Sequence, residues 1–223
     1  MRVNKFVHDL SSLHFENVFN PYSERCEIYD YADAPKRRRV LLKKMLCAAS
    51  QVEVNAIWIG RDLGHRGGRR TGLALTDDVH LMHHASRWGV TCDKFTKGNA
   101  VPERTAAVIW SVLSQILSPI FLWNVFPFHP FESGKIFSNR PHNSVERKAG
   151  EEFLDELIGI LKPKRLIAIG NDAENSVSRY SDRCECIKVR HPSYGGQNIF
   201  LEQIASLYKL NEYSLKADLF NGT

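Results

Sequence analysis

Apolar residues recur in this chain as short dense runs, separated by longer stretches in which they return every three or four positions. Strands and amphipathic helices leave these two patterns. The dense runs fall at residues 54–59, 120–125 and 165–170 and predict strands, the first of them buried, and the more polar stretch 185–189 reads as a fourth strand. Helical spacing covers residues 36–50, where Val40, Leu41, Leu42, Met45, Leu46 and Ala49 share a face beneath a basic outer surface. Further helices are predicted over 79–88, with Asp77 and Asp78 at the N-cap and first turn, and over 103–117, stopped near Pro119. Three more run from Ser144 to before Pro163, from a cap at Asn171 to about Tyr180, and over 198–210. Residues 1–35 show no clear period and are punctuated by Pro21 and Pro35, so they read as a wrapping N-terminal arm with room for a short helix.

Strands alternating with helices at this spacing imply a parallel sheet covered on both faces. The expected class is α/β: a three-layer α/β/α sandwich around a central, mainly parallel four-stranded sheet, in a single domain spanning 1–223. A chain of 223 residues can bury one sizeable core. No apolar run approaches the roughly 18 residues of a membrane span, and no signal-like stretch follows Met1, so a cytoplasmic monomer without membrane contact is expected.

Charge adds a partner class. The net charge is +5, and Lys36-Arg37-Arg38-Arg39, Lys43-Lys44, Arg61, Arg66, Arg69 and Arg70 concentrate the excess in the first third, a pattern suited to a polyanion or to a solvated basic face. The five cysteines are scattered, and only Cys184-x-Cys186 forms a close pair, which reads as packing; no metal site is expected. His80, His83 and His84 have no carboxylate or cysteine partner in the pattern and read as ordinary surface histidines.

Three strands deliver a polar residue where the chain leaves the sheet: Asp62 after the first, Asn124 near the end of the second, His191 after the fourth. Taken alone, each has an ordinary use, in capping a turn, satisfying backbone groups or fixing a Pro bend. Their convergence counts for more, because open α/β sheets bind ligands in the crevice at the carboxyl ends of their strands.

The motifs around these residues resemble the uracil-DNA glycosylase superfamily, in its bacterial branch with a His-Pro-Ser loop. Gly60-Arg61-Asp62-Leu63-Gly64-His65 stands between that family's Gly-x-Asp-Pro-Tyr-His and Gly-Glu-Ala-Pro-Gly loops. Arg70-Thr71-Gly72-Leu73-Ala74-Leu75-Thr76 is similar to a Thr-Gly-x-Pro-Phe-Thr segment, Asn124-Val125-Phe126-Pro127 to the strand-end Asn, and Arg190-His191-Pro192-Ser193-Tyr194-Gly195-Gly196 to the His-Pro-Ser loop. The similarity runs from about residue 36 to residue 207.

The resemblance implies a monofunctional DNA glycosylase that hydrolyses the N-glycosidic bond of a flipped-out pyrimidine in duplex or single-stranded DNA, without metal or organic cofactor. Asp62 would orient water and face the sugar cation, and His191 would stabilise the departing base anion as an oxyanion donor does. Asn124 would read the pyrimidine edge, with Gly60, Arg61, His65 and Leu75 completing the base site. Ser193 and the basic loop with Arg66, Arg69 and Arg70 would hold phosphates, while Tyr194 or Gln197 would wedge into the duplex and Gly195 and Gly196 would permit close approach. No lysine in these motifs offers a Schiff base.

Two departures from the pattern bear on specificity. Ala74-Leu75 replaces Pro-Phe and removes the ring that stacks on the base, an interaction worth about 1–3 kcal/mol. Arg61 and Leu63 replace Glu or Gln and Pro. The altered pocket is expected to admit a 5-modified pyrimidine, such as a hypermodified phage cytosine, with Arg61, His65 or Arg69 addressing added hydroxyls and the enzyme acting in defence. Rival expectations are ordinary uracil repair and a catalytically inactive DNA-binding or lesion-sensing module. A phosphate-binding nucleotide protein ranks last, since the Gly-x-x-x-x-Gly-Lys pattern is missing.

Overall fold

The computed structural model of the chain describes residues 2–210; Met1 and residues 211–223, which the expected domain includes, lie outside the described residues. Helix α1 (Arg2–Ser12) opens the fold, followed by strand β1 (Val18–Phe19), α2 (Ala34–Ala49) and β2 (Ala56–Asp62). Three helices come next, α3 (Gly68–Thr71), α4 (Leu81–Ser86) and α5 (Arg104–Leu113), and then β3 (Ile120–Phe126) and β4 (His129–Pro130). The remainder is α6 (Ser144–Leu161), β5 (Arg165–Ile169), α7 (Asn171–Val177) continued by a 3-10 turn, β6 (Glu185–Val189) and α8 (Gln197–Tyr208).

The four long strands form one parallel sheet in the order β3-β2-β5-β6. Its two faces follow from side-chain alternation. Ile57, Ile59, Phe121, Trp123, Leu166 and Ala168 face a layer supplied by α1, α2, α6 and α7, whereas Ala56, Trp58, Ile120, Leu122 and Ile167 face α5 and α8. The three-layer α/β/α sandwich is therefore the observed architecture. Cys184 and Cys186 pack against the first of these layers.

The arm is more ordered than its sequence pattern suggests. Phe6, Val7 and Leu10 of α1 are buried, with Phe6 edge-on to Phe153 of α6 at 5.4 Å between ring centroids. Farther along the arm, Tyr22 donates its hydroxyl to the Gly72 carbonyl at 2.6 Å, and Asp30 pairs with Arg38 with both side chains fully buried. The basic face expected on the second helix thus loses Arg38 to the interior, although Lys43 and Lys44 remain exposed.

The histidine cluster also differs from expectation. His84 is buried against Trp110, with Nδ1 2.9 Å from Thr76 Oγ1, and His80 stacks on Trp110 while its Nδ1 lies 2.6 Å from Asp77 Oδ1. His83 alone of the three is exposed. The helix starts later than expected, at Leu81 with His80 at its N-cap, so Asp77 accepts from the His80 N–H one turn ahead of it without capping it, and Asp78 turns inward to Arg70. Among the described residues, no helix is long and apolar enough to cross a membrane.

Candidate active site

β2 is the first long strand; its sequence successor β3 lies on one side and β5 on the other, so the chain reverses direction across the sheet at the carboxyl end of β2. Such a switch point opens a crevice. A cleft of about 540 Å³ occupies it, lined by Arg61, Asp62, Leu75, Glu103, Gly170 and His191 among others. Gly170 ends β5 at φ +91, and a Cβ there would stand 3.2 Å from His191 Cβ. Glycine at this position lets the loop after β6 fold back over the neighbouring strand end.

Asp62 is the last residue of β2, held in register opposite Phe126. Both of its carboxylate oxygens are engaged. Arg61 Nε donates to Oδ2 at 2.6 Å, and His142 Nδ1 lies 2.5 Å from Oδ1. Arg61 is itself braced by Asp172 at 3.1 Å. His142 comes from the long loop before α6, a segment without helical or strand periodicity and outside the family-like motifs. One sign of its fixed position was available: the next residue, Asn143, opens a capping box with Glu146, and Glu146 also takes two bonds from Arg140 at 2.7 and 2.8 Å. That anchors the end of the loop beside Phe126, whose ring centroid lies 6.0 Å from that of His142.

His191 has a defined tautomer. The Ser193 backbone N–H donates to Nδ1 at 3.1 Å, and because an amide nitrogen cannot accept, the ring proton resides on Nε2. Ser193 Oγ lies 2.7 Å from the same nitrogen, so this side chain orients the imidazole. Burial, then the charges of Arg61 and Arg190, lower the imidazole pKa from 6.5, with Asp172 opposing them. The group is thus kept as a neutral Nε2–H donor.

Asn124 lies opposite Gly60 and is 1% exposed, yet neither its Oδ1 nor its Nδ2 has a hydrogen-bond partner among the described residues. A Cβ on Gly60 would fall 2.5 Å from Oδ1, so glycine is what admits the amide. The same point is 3.1 Å from Leu75 Cδ2. Leu75 lines the cleft, whereas Asn124 is not among the lining residues. Leu75 adopts φ +54, a left-handed conformation uncommon for leucine, and its carbonyl accepts from Trp110 Nε1 at 3.0 Å.

The expected phosphate loop needs correction. Arg69 is 3% exposed: Nε donates to the Tyr29 hydroxyl at 3.0 Å, a second nitrogen donates to His129 Nδ1 at 2.9 Å, and the guanidinium covers the Phe19 ring at 3.8 Å. Arg70, 7% exposed, pairs with Asp78 at 2.7 Å. Both guanidiniums tie the loop to the N-terminal arm, which leaves neither free for a phosphate nor for hydroxyls on a base. Arg66 remains exposed, with Nε 3.3 Å from the Pro102 carbonyl. His65 is half-buried outside the cleft lining; its Nδ1 has no partner among the described residues, and burial lowers its pKa.

In the loop after His191, Tyr194 projects into solvent at 97% exposure with φ +51, followed by Gly195 at φ +76. Gly196 instead packs inward, since a Cβ there would meet the His191 carbonyl at 2.1 Å; it shapes the loop and offers DNA no surface. Gln197 is the first residue of α8 and is half-buried.

Comparison with known proteins bears on the fold and the family. The fold is similar to the crystal structure of wild-type SMUG2 from Pedobacter heparinus, with a TM-score of 0.56 and 14% identity over 94% of this chain and 98% of that one. No curated protein matches. A family model described as the uracil DNA glycosylase superfamily covers residues 49–213, and the chain belongs to that superfamily.

Proposed function

We propose that the protein is a monofunctional DNA glycosylase that uses water to release a flipped-out pyrimidine and leave an abasic site. The observation that carries this reading is the presence of the Asp62 carboxylate and a neutral, oriented His191 donor on one cleft at the sheet's switch point. In the proposed reaction the water oxygen bonds to the sugar carbon, the sugar–base bond breaks, and its electron pair leaves on the base. Asp62 orients the water, takes its proton and faces the sugar's developing positive charge. His191 Nε2–H meets the negative charge growing on the base oxygen, a contribution of about 2.7–4 kcal/mol for a donor of this kind.

The buried, unpartnered amide of Asn124 supports its role as reader of the base edge. Extrusion of the base costs a few kcal/mol, and the exposed Tyr194 fits the wedge better than the half-buried Gln197. The aliphatic Leu75 and the side-chain-free Gly64 leave room beside the ring, which favours a 5-substituted pyrimidine, such as a hypermodified cytosine, over plain uracil.

A second reading, an inactive DNA-binding or lesion-sensing module, draws on the engagement of both Asp62 oxygens. Duplex and single-stranded oligonucleotides carrying uracil or a series of 5-modified cytosines separate the two, scored for abasic sites and for free base by mass spectrometry. Glycosylase action predicts release from at least one substrate, abolished in Asp62→Asn with DNA binding retained. Absence of product from every substrate would establish the sensor.

A further inference from the structure

Glu103 presents a second carboxylate to the cleft, and the mechanism above leaves it unused. It directly precedes α5, with its backbone N–H donated to Asp77 Oδ2 at 2.7 Å. Its side chain rests on the loop after β2. Oε1 lies 3.3 Å from the place a Cβ on Gly64 would occupy, and Oε2 lies 2.7 Å from that on Gly67. A side chain at either position would cover the carboxylate or displace it. Gly67 thus lets the carboxylate pack against the loop, and Gly64, which lines the cleft two residues after Asp62, leaves its other side uncovered.

Burial, then the charge of Asp77, push the Glu103 pKa upward, opposed by the Ala106 amide and the Arg66 charge. Beyond the Ala106 amide, no donor to this carboxylate is found among the described residues, which leaves acceptor capacity for a ligand. A phosphate would be repelled here, so the missing donor is not the DNA backbone. Nor is it an unmodified uracil ring, which carries one N–H on the edge assigned to Asn124 and only C–H groups beyond it. A hydroxyl or amino group attached at the ring's 5-position supplies the donor, because a carboxylate accepts two or more hydrogen bonds. The cleft volume lies within the roughly 300–1,000 Å³ of pockets that enclose ligands well beyond a single ring.

Resting on the glycosylase reading, we infer that Glu103 is the specificity-determining residue of this cleft, accepting hydrogen bonds from hydroxyl or amino groups on the 5-substituent of the extruded pyrimidine. This assigns to an acceptor the role that the sequence suggested for the donors Arg61, His65 or Arg69; both guanidiniums are already bonded within the protein, and His65 lies outside the cleft lining.

The test measures single-turnover base release from oligonucleotides containing uracil, 5-hydroxymethylcytosine or glucosylated 5-hydroxymethylcytosine, together with binding of DNA bearing a non-cleavable 2′-fluoro nucleotide of each base. Wild type is expected to favour the hydroxyl-bearing bases, and Glu103→Gln to lower the modified-to-uracil ratio at least tenfold in both rate and affinity. Gly64→Leu, whose side chain would cover the Glu103 carboxylate, is expected to lower the same ratio and provides the test if Glu103→Gln fails to fold. Base release by wild type with the ratio unchanged in the folded variants overturns the role of Glu103 alone. Release of no base by wild type overturns this role and the glycosylase reading together.

Discussion

Asp62 and Asn124 stand at the ends of neighbouring strands, yet their polar atoms are treated in opposite ways. Both oxygens of Asp62 are bonded, by Arg61 and His142, and His191 beside it is oriented by Ser193. The amide of Asn124 is more deeply buried and has no partner, an arrangement that costs roughly 1–3 kcal/mol per orphaned group. The difference separates two kinds of readiness. Groups that must meet charge developing in a transition state work best when held in place beforehand. A group that reads a base instead keeps its hydrogen-bonding capacity open until the base arrives, and the protein carries the desolvation cost until then.

The contrast breaks most sharply at Asp62. In the Asp62→Asn variant, single-turnover base release is expected to fall by about 10²–10⁴ with DNA affinity retained, and unchanged release would remove Asp62 from the reaction. Loss of the His191 donor ranks next: His191→Ala should slow release by about 10²–10³. The lowered His191 pKa adds a sign to this, since a neutral ring keeps the bond from Ser193 N–H until the pH falls below the ordinary histidine range. The His191-dependent part of the rate should therefore stay flat down to pH 6.5, and an acid limb beginning above that value would contradict the assignment.

Stability in acid sets the range over which these rates can be compared. Burial pushes His84 and His129 down to about 3, so both remain neutral when folded but take up a proton when unfolded below about 6.5. Stability is then fully present above that pH and falls by about 1.4 kcal/mol per pH unit for each histidine as the pH drops toward 3. Urea unfolding between pH 7 and 4 measures that slope, and a flat profile would show that neither ring stays neutral.

The open side of the contrast is probed by Asn124→Leu, which replaces the unpartnered amide at similar volume. It should raise stability by about 1 kcal/mol while reducing base release about tenfold; intact release would reduce Asn124 to a packing residue. The smallest effect is expected at Arg66, the exposed arginine of the loop. Arg66→Gln should weaken binding to all DNA sequences alike and lower the salt-dependence slope by about 1, as read from titrations at several salt concentrations.

The strands and helices of the sandwich were legible because their periods are long enough to repeat. Element ends were less so: β2 continues to Asp62 where the apolar run stops at Ile59, since pairing with β3 carries the backbone three residues further. Helix α1 fills the short helix that the arm left room for; Val3, Phe6, Val7 and Leu10 have helical spacing, but over only eleven residues, and what the three buried side chains pack against, α2 and α6, is decided by the tertiary structure.

Of the site, Asp62, Asn124 and His191 could be named from strand ends and short motifs, both of which are local features. His142 could not, because it reaches Asp62 across a separation of 80 residues from a loop with no period. The same reason explains the arginines. Side-chain charge is a property of the residue, but whether Arg69 and Arg70 face DNA or the interior depends on an arm some forty to fifty positions away that supplies Phe19 and Tyr29 and is itself tied to α2 by the Asp30–Arg38 pair. Local pattern was enough to specify the layers and the residues at their edges. Which polar atoms are satisfied, and which remain open for a ligand, was set by contacts distant in the chain, because burial and hydrogen bonding are properties of the assembled neighbourhood.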